Sequence, residues 1–303
     1  MYFPYIRSKQ FDLLALKELT ERQLLHPSVI PLIEPIKDSA ALKRTITSFI
    51  KHEQPLAIIA NPEVGEFDRS QDKLHDIDEL KLAPTILPAF ITNQLFTGSL
   101  ISGRHNLLIT NRYTANLSQF QSLTSDYEIS HISIQDPRMA PLSQAISLHD
   151  PLTVLKNVED YLYEEDEFFS DDHLFYLEDG FQGFSDYSIN GATYEEKGFP
   201  AKAVALHILY FDAYQNLRIK HFTSDNNQDY TNPGGKFLEA ANKLARWYQK
   251  YQDQLVLTYG LSELLLYQQN QKFPGLGVIK KLSLMHHLEL VSRYFQQVLP
   301  KTL

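Results

Sequence analysis

The chain has 303 residues, of which 43% are hydrophobic and 21% are charged. This composition can bury a full core, and it excludes whole-chain disorder and collagen-like repeats. The 28 basic and 37 acidic residues give a net charge of −9, so we expect no broad nucleic-acid surface. No cysteine occurs, which excludes disulfide scaffolds and thiolate chemistry. With no signal-peptide pattern and no long apolar run, the sequence predicts a cytoplasmic protein without membrane-spanning segments.

Short apolar runs alternate with helical patterns over the first 180 residues, as is typical of parallel βα units. The strand patterns cover residues 2–6, 29–36, 56–60, 85–91, 106–110, 129–135 and 174–177. Helical patterns fall at residues 11–25, 40–52, 70–82 and 119–123. With an eighth strand at 204–211, the pattern predicts a (β/α)8 TIM-barrel-like fold. An open doubly wound α/β sheet is the alternative, disfavoured because no Gly-rich turn follows the first strand.

The last hundred residues depart from the βα pattern. Residues 204–211 and 217–222 flank a short polar connection and predict an antiparallel hairpin. There His207 and His221 would be neighbours that titrate near neutral pH. Helices are predicted at 236–255, 261–271 and 279–298. We therefore expect one barrel-like domain over 1–303, with a hairpin at 204–222 and a helical part at 236–303.

Candidate chemistry lies where predicted strands end, since barrel active sites collect at the carboxyl ends of the strands. Two cations there could hold a phosphate, and three carboxylates could transfer protons or bind a divalent metal, the candidate cofactor. We predict that the first cation, Arg7, lies within salt-bridge or one-water reach of at least one of these carboxylates. The five candidate catalytic residues are Arg7, Lys9, Glu34, Glu178 and Asp186. Asn61, which also follows a strand, joins His207 and His221 as a candidate binding residue.

A strongly acidic stretch covers residues 159–172, here called the acidic segment. Eight of its fourteen residues are acidic, and aromatic residues are interleaved with them. A solvated helix and loop is the plain interpretation of such a charge run. Because aromatic side chains anchor protein interfaces, a surface for a basic partner is the alternative.

Several stretches together resemble an uncharacterised bacterial family related to the beta-family proteins of phages and mobile elements. They are MYFPYIRSKQFDLLALKEL, IPLIEPIK, GFSDYSINGATYEEKGFPAKAVALHILYF, HFTSDNNQD, NPGGKFLEA and FPGLGVIKKLSLMHH. The resemblance implies an accessory gene of a mobile element, encoded beside a companion that resembles PD-(D/E)xK nucleases. It implies a role in anti-phage defence or conflict between elements, and it carries over no catalytic role to any residue. Shared motif positions add Gln10, Tyr187 and Asp225 to the candidate binding residues.

Two functional hypotheses follow. In the first, the protein is a sensing or partner-binding component that presents its loops and the acidic segment to a nuclease-like protein. In the second, it is a metal-assisted hydrolase that acts on a phosphate-bearing ligand at the barrel mouth. The two hypotheses require different geometries, because an enzyme needs the five candidate side chains to converge in one enclosed pocket.

Overall fold

The computed structural model describes residues 1–67, 83–92, 100–110, 128–134, 145–196 and 202–299. Residue contacts divide the chain into two compact units. The first unit contains residues 1–150 and 172–188, and the second contains residues 151–171 and 189–303. Each unit is described by itself below.

The first unit is a closed barrel of eight strands, all paired in parallel. Closure is made by the first strand, which pairs with the second on one edge and with the last on the other. This confirms the (β/α)8-type prediction, and the open-sheet alternative is wrong because no edge is left unpaired. The strands are β1 (Tyr2–Arg7), β2 (Leu32–Glu34), β3 (Leu56–Ile59), β4 (Ile86–Ile91), β5 (Asn106–Thr110), β6 (Ile129–Ile134), β7 (Ala145–His149) and β9 (Gly183–Asp186).

Three described helices belong to this unit: α1 (Gln10–Glu21), α2 (Ala40–Lys51) and the short α3 (Asp172–Phe175). In α2 the buried Leu42, Ile46 and Phe49 recur at helical spacing, so one face packs inward. The helix begins after Ser39, whose hydroxyl accepts a hydrogen bond from the Leu42 N–H. The helices predicted at 70–82 and 119–123 lie outside the described residues.

The last two barrel strands differ from the sequence prediction. Residues 174–177, including Phe175, lie in α3 and the turn after it rather than in a strand. The seventh and eighth barrel strands are β7 and β9. Strand β9 escapes the apolar pattern because its sequence is GFSD. Its Gly183 is required by close packing, since a Cβ there would lie 2.7 Å from the Met1 carbonyl oxygen.

The second unit contains a three-stranded antiparallel sheet and the C-terminal helices. Strands β10 (Ala205–Phe211) and β11 (Leu217–Thr223) form the predicted hairpin, and β8 (Asp166–Ser170) pairs with the other edge of β11. Residues 204–211 are therefore not a barrel strand. The helices are α4 (Pro233–Tyr251), α5 (Tyr259–Gln269) and α6 (Leu276–Val298). Among the described helices, none has both the length and the apolar character needed to cross a bilayer.

Candidate functional site

Arg7 and Glu34 meet at the carboxyl ends of neighbouring barrel strands. They are the last residues of β1 and β2 and are paired in the sheet register, so their side chains project to the same face. Arg7 Nε lies 3.6 Å from Glu34 Oε2. The side chains are only 12% and 2% exposed, which makes this a buried ion pair. The contact confirms the prediction that Arg7 binds one of the candidate carboxylates.

The Glu34 carboxylate is also held by two hydrogen-bond donors. The Tyr5 hydroxyl donates to Oε2 at 3.0 Å, and the Glu63 N–H donates to Oε1 at 3.0 Å. Burial nevertheless raises the pKa of Glu34 above its ordinary value, although these donors and Arg7 act in the opposite direction. Both carboxylate oxygens are thus occupied by groups of the protein itself.

Aromatic rings surround the Arg7 guanidinium. Its Cζ lies 5.8 Å from the centre of the Tyr5 ring and 5.5 Å from that of Tyr187, within the range of cation–π contacts. The two rings are 4.9 Å apart. Tyr187, a candidate binding residue, is 4% exposed and therefore works here as packing around the cation.

Asp186 does not join this cluster. It is paired in register with Pro4, three residues before Arg7, and three steps along a strand reverse the side-chain direction. In a βα barrel, the segment that leads into the last strand runs along the outside of the barrel. Tyr176 belongs to this segment, and its ring centre lies 5.6 Å from that of Phe184. Because Phe184 shares a face with Asp186, Asp186 faces the outer layer and Arg7 faces inward.

Asp186 belongs to a second buried cluster on that outer face. Its Oδ1 accepts hydrogen bonds from the Tyr2 hydroxyl at 2.8 Å and from the Ser188 N–H at 2.7 Å. Nearby, His149 Nδ1 and Asp172 Oδ2 are 2.6 Å apart. Burial, helped by the Asp172 carboxylate, raises the pKa of Asp186 to about 7. This carboxyl group therefore holds a proton up to near-neutral pH.

The other candidates of the first unit occupy different places in the barrel. Glu178 is exposed in the turn that leads to the amino end of β9, the opposite end of the barrel from the strands' carboxyl ends. Lys9 is the N-cap residue of α1, and Gln10 is the exposed first residue of that helix. The Asn61 side chain donates to the Ile91 carbonyl and accepts from the Ile91 N–H, both at 2.8 Å. It thereby fastens the ends of β3 and β4 together.

The two hairpin histidines are direct neighbours, as the sequence predicts. His207 and His221 are paired across β10 and β11, with their Nδ1 atoms 2.6 Å apart. His221 Nε2 lies 3.1 Å from Glu167 Oε1, so His221 donates there and accepts at Nδ1 from His207. Burial lowers the pKa of His207 to about 3 and also lowers that of His221. For His207 the expected titration near neutral pH is therefore wrong, and the pKa of His221 shifts in the same direction.

Asp225 and residues 159–171 of the acidic segment belong to the second unit. Asp225 Oδ1 accepts from Lys243 Nζ at 2.6 Å, with the Asp225 side chain 69% exposed. Part of the acidic segment forms β8, where Asp166 pairs with Arg218 and Lys220 of the neighbouring strand. These cross-strand charge pairs explain why an acidic sequence becomes a strand here.

Residues that sequence reasoning missed are those whose role depends on a neighbour in space. Tyr2 and Tyr5 look like ordinary apolar strand residues, yet each hydroxyl binds a buried carboxylate. His149 and Asp172 were missed because β7 was not recognised and because Asp172 was assigned to a charge run. The available sequence signal was the pair of tyrosines, Tyr2 and Tyr5, in the first predicted strand.

The fold defines a (β/α)8-barrel unit together with a unit built on an antiparallel sheet and helices. In the described ranges, no group of three or more histidine or acidic side chains is arranged to hold a metal ion. No protein-family model matches the chain, and no curated protein or solved structure is significantly similar to it.

Proposed function

We propose that the protein is the partner-binding component of a bacterial anti-phage or mobile-element conflict system. Its partner would be a nuclease-like protein with a basic surface. The family resemblance of the sequence motivates the biological setting. The binding role is supported by the distribution of the candidate residues and by one exposed surface in the second unit.

The distribution of the five candidate catalytic residues favours a binding protein over an enzyme. Arg7 and Glu34 meet, and they neutralise each other in a buried site. Asp186 projects to the other face of the barrel wall, and Glu178 is exposed at the other end. A hydrolytic site needs its acid, base and anion-binding groups within reach of one substrate.

The surface that carries the proposal is the acidic–aromatic patch, defined as Tyr163, Glu164, Glu165 and Phe168. Tyr163 is 86% exposed and Phe168 is 50% exposed, and the two glutamates between them are also exposed. Exposed aromatic side chains supply the anchors of protein interfaces, and flanking carboxylates select a partner of opposite charge. The patch therefore fits a basic protein surface.

The test is affinity capture of the tagged chain from a bacterial host that carries its neighbouring genes, followed by mass spectrometry. We expect the wild type to retain a nuclease-like protein and the Tyr163→Ala/Phe168→Ala variant to lose it. Tyr214→Ala is the matched control, since Tyr214 is 83% exposed in the hairpin turn outside the patch. Equal retention by all three proteins, or retention of no such protein by the wild type, would refute the proposal.

The second candidate function is a metal-assisted hydrolase for a phosphate-bearing ligand. One observation favours it: a cation and a carboxyl group with raised pKa meet at the carboxyl ends of β1 and β2, where barrel enzymes place their catalytic groups. It is tested by phosphate release from p-nitrophenyl phosphate with Mg²⁺, in wild type and in Glu34→Gln. Activity that EDTA and the substitution both abolish would establish this function, and equal activity in both proteins would exclude it.

A further inference from the structure

A cavity of about 290 Å³ opens in the second unit beside the end of β11. Its walls come from the turn before β8, from β11 and from the middle of α4. The volume is near the lower end of small-molecule sites, roughly 300–1,000 Å³. The residues used in the argument below are Tyr161, Glu165, Phe222, Thr223, Arg246 and Trp247.

Three cationic side chains line this cavity, and they differ in their partners. Lys220 Nζ lies 3.4 Å from Asp166 Oδ2, and Lys243 Nζ donates to Asp225 Oδ1 at 2.6 Å. These lysines are therefore neutralised by their own carboxylates. Arg246 is exposed, and within the described part of the chain its guanidinium has no ion pair or hydrogen bond. It is the cation of this cavity that remains available for an anion.

A buried hydroxyl group provides the second, independent observation. Thr223 is 2% exposed, and its Oγ1 has no hydrogen-bond partner among the described residues. A buried hydroxyl without a partner costs free energy, and such groups are rare in folded proteins. Thr223 lines the same cavity as Arg246. Its hydroxyl oxygen is itself buried, so a ligand seated there would satisfy both groups once the Thr223 side chain changes rotamer.

The remaining walls are aromatic. Trp247 and Phe222 have ring centres 5.4 Å apart, and Tyr161 packs on His221 at 4.5 Å. Aromatic walls favour a planar ring, and an arginine beside them favours a phosphate. Glu165 also lines the cavity. Its carboxylate would repel an extended polyanion, which limits the ligand to one anionic group.

We propose that this cavity binds a nucleoside monophosphate, with the base against the aromatic wall and the phosphate at Arg246. The Thr223 hydroxyl would supply a hydrogen bond inside the cavity. The residues substituted to test this cavity differ from those substituted in the acidic–aromatic patch. The nucleotide proposal can therefore hold whether or not the partner proposal does. The small ligand would then bind in the same unit as the proposed partner surface.

The test uses the fluorescence of Trp247, the single tryptophan of the chain. The four common ribonucleoside 5′-monophosphates are titrated into the full-length protein. We expect a saturable change with at least one of them, and much weaker effects from inorganic phosphate and from the free nucleoside. Arg246→Ala should weaken binding about tenfold or more, and Thr223→Val several-fold, as expected for hydrogen bonds to a charged ligand.

Lys250→Ala is the matched control, because Lys250 is an exposed cation one helical turn along α4 and does not line the cavity. It should bind like the wild type. Thermal unfolding of each variant establishes that it is folded. No saturable change with any of the four nucleotides at millimolar concentration would overturn the proposal. So would a dissociation constant that is equal in Arg246→Ala and in the wild type.

Discussion

The carboxyl end of the barrel and the cavity beside β11 contain similar groups, but these groups differ in whether they have partners within the protein. Each has an arginine among aromatic rings. At the barrel end, Arg7 is paired with Glu34, whose oxygens also accept bonds from Tyr5 and Glu63. In the cavity, Arg246 and the Thr223 hydroxyl are left without such partners among the described residues.

This difference separates a structural role from a binding role. Groups that satisfy one another inside the protein contribute to the fold, and a ligand would have to break their contacts. Groups that are positioned but unsatisfied lower the cost of binding, because no internal contact is lost. A strand-end position alone therefore does not identify a site. The predictions below test the two regions from the largest expected effect to the smallest.

Replacing Arg7 with alanine should cause the largest loss in the free energy of unfolding. In Arg7→Ala the Glu34 carboxylate stays buried without its cation, so the free energy of unfolding should fall by roughly 3 kcal/mol. Urea denaturation followed by circular dichroism measures this. The control is Arg22→Ala. Arg22 and Glu18 are 2.9 Å apart with side chains 45% and 25% exposed, so that more exposed pair should contribute less than about 1 kcal/mol. Similar losses in both variants would mean that burial does not set the strength of the barrel pair.

Asp186→Asn should change how stability depends on pH. The raised pKa, about 7 against an ordinary 3.8, means that the folded state keeps a proton that the unfolded state releases. Wild-type stability contributed by this group is therefore complete below about pH 4 and is lost as pH rises through 7. Asparagine can keep both hydrogen bonds at Oδ1 and has no charge to bury.

We expect the Asp186→Asn variant to match the wild type near pH 4 and to exceed it by roughly 3 kcal/mol at pH 7. Thermal unfolding at a series of pH values measures the difference. Asp179→Asn, at an exposed position of the turn before β9, should change stability by less than about 0.5 kcal/mol throughout. A difference for Asp186→Asn that does not vary with pH would contradict the buried, proton-holding carboxyl group.

Asn61→Ala should destabilise the barrel by roughly 1–2 kcal/mol, because both Ile91 backbone groups lose their side-chain partner. Asn61→Asp keeps the acceptor for the Ile91 N–H but sets a second oxygen against the Ile91 carbonyl, so it should restore at most part of the loss. The measurement is chemical denaturation of the two variants side by side. If alanine were tolerated without loss, Asn61 would be free for a ligand, as its strand-end position suggested.

Thr223→Val should give the smallest effect, and one of opposite sign. Valine has the same shape and no hydroxyl, so the free protein should gain about 1 kcal/mol when the unsatisfied group is removed. Differential scanning calorimetry without ligand measures the gain. A loss of stability would show that the hydroxyl already has a partner, and the cavity would lose one of its two supports.

The sequence predicted the parts of the fold that depend on local pattern. Strands β1 to β6 have apolar runs with turn residues between them, and the hairpin follows from its alternation. Strand β9 could not be found this way, because GFSD becomes a strand only through its neighbours β7 and β1. Strand β8 was hidden by its carboxylates, whose partners Arg218 and Lys220 lie about fifty residues away.

For the candidate sites, the sequence predicted which residues end neighbouring strands but not which face of the sheet each side chain points to. Arg7 and Glu34 end neighbouring strands, so their contact followed from βα order. That Asp186 faces the other side depends on its register with Pro4, and a register shift of one residue would reverse it. The state of Arg246 and Thr223 depends on which groups lie nearby in space, and no local pattern records that.

The most direct test of the account compares partner retention by a variant of the barrel end and a variant of the acidic–aromatic patch, at a temperature where both are folded. Glu34→Gln removes the carboxylate at the barrel end, and Tyr163→Ala/Phe168→Ala removes the exposed anchors of the acidic–aromatic patch. The predicted result is that the Glu34→Gln variant retains the partner and the Tyr163→Ala/Phe168→Ala variant loses it. Partner lost by Glu34→Gln and retained by the patch variant would contradict the account and would place the functional site at the barrel end.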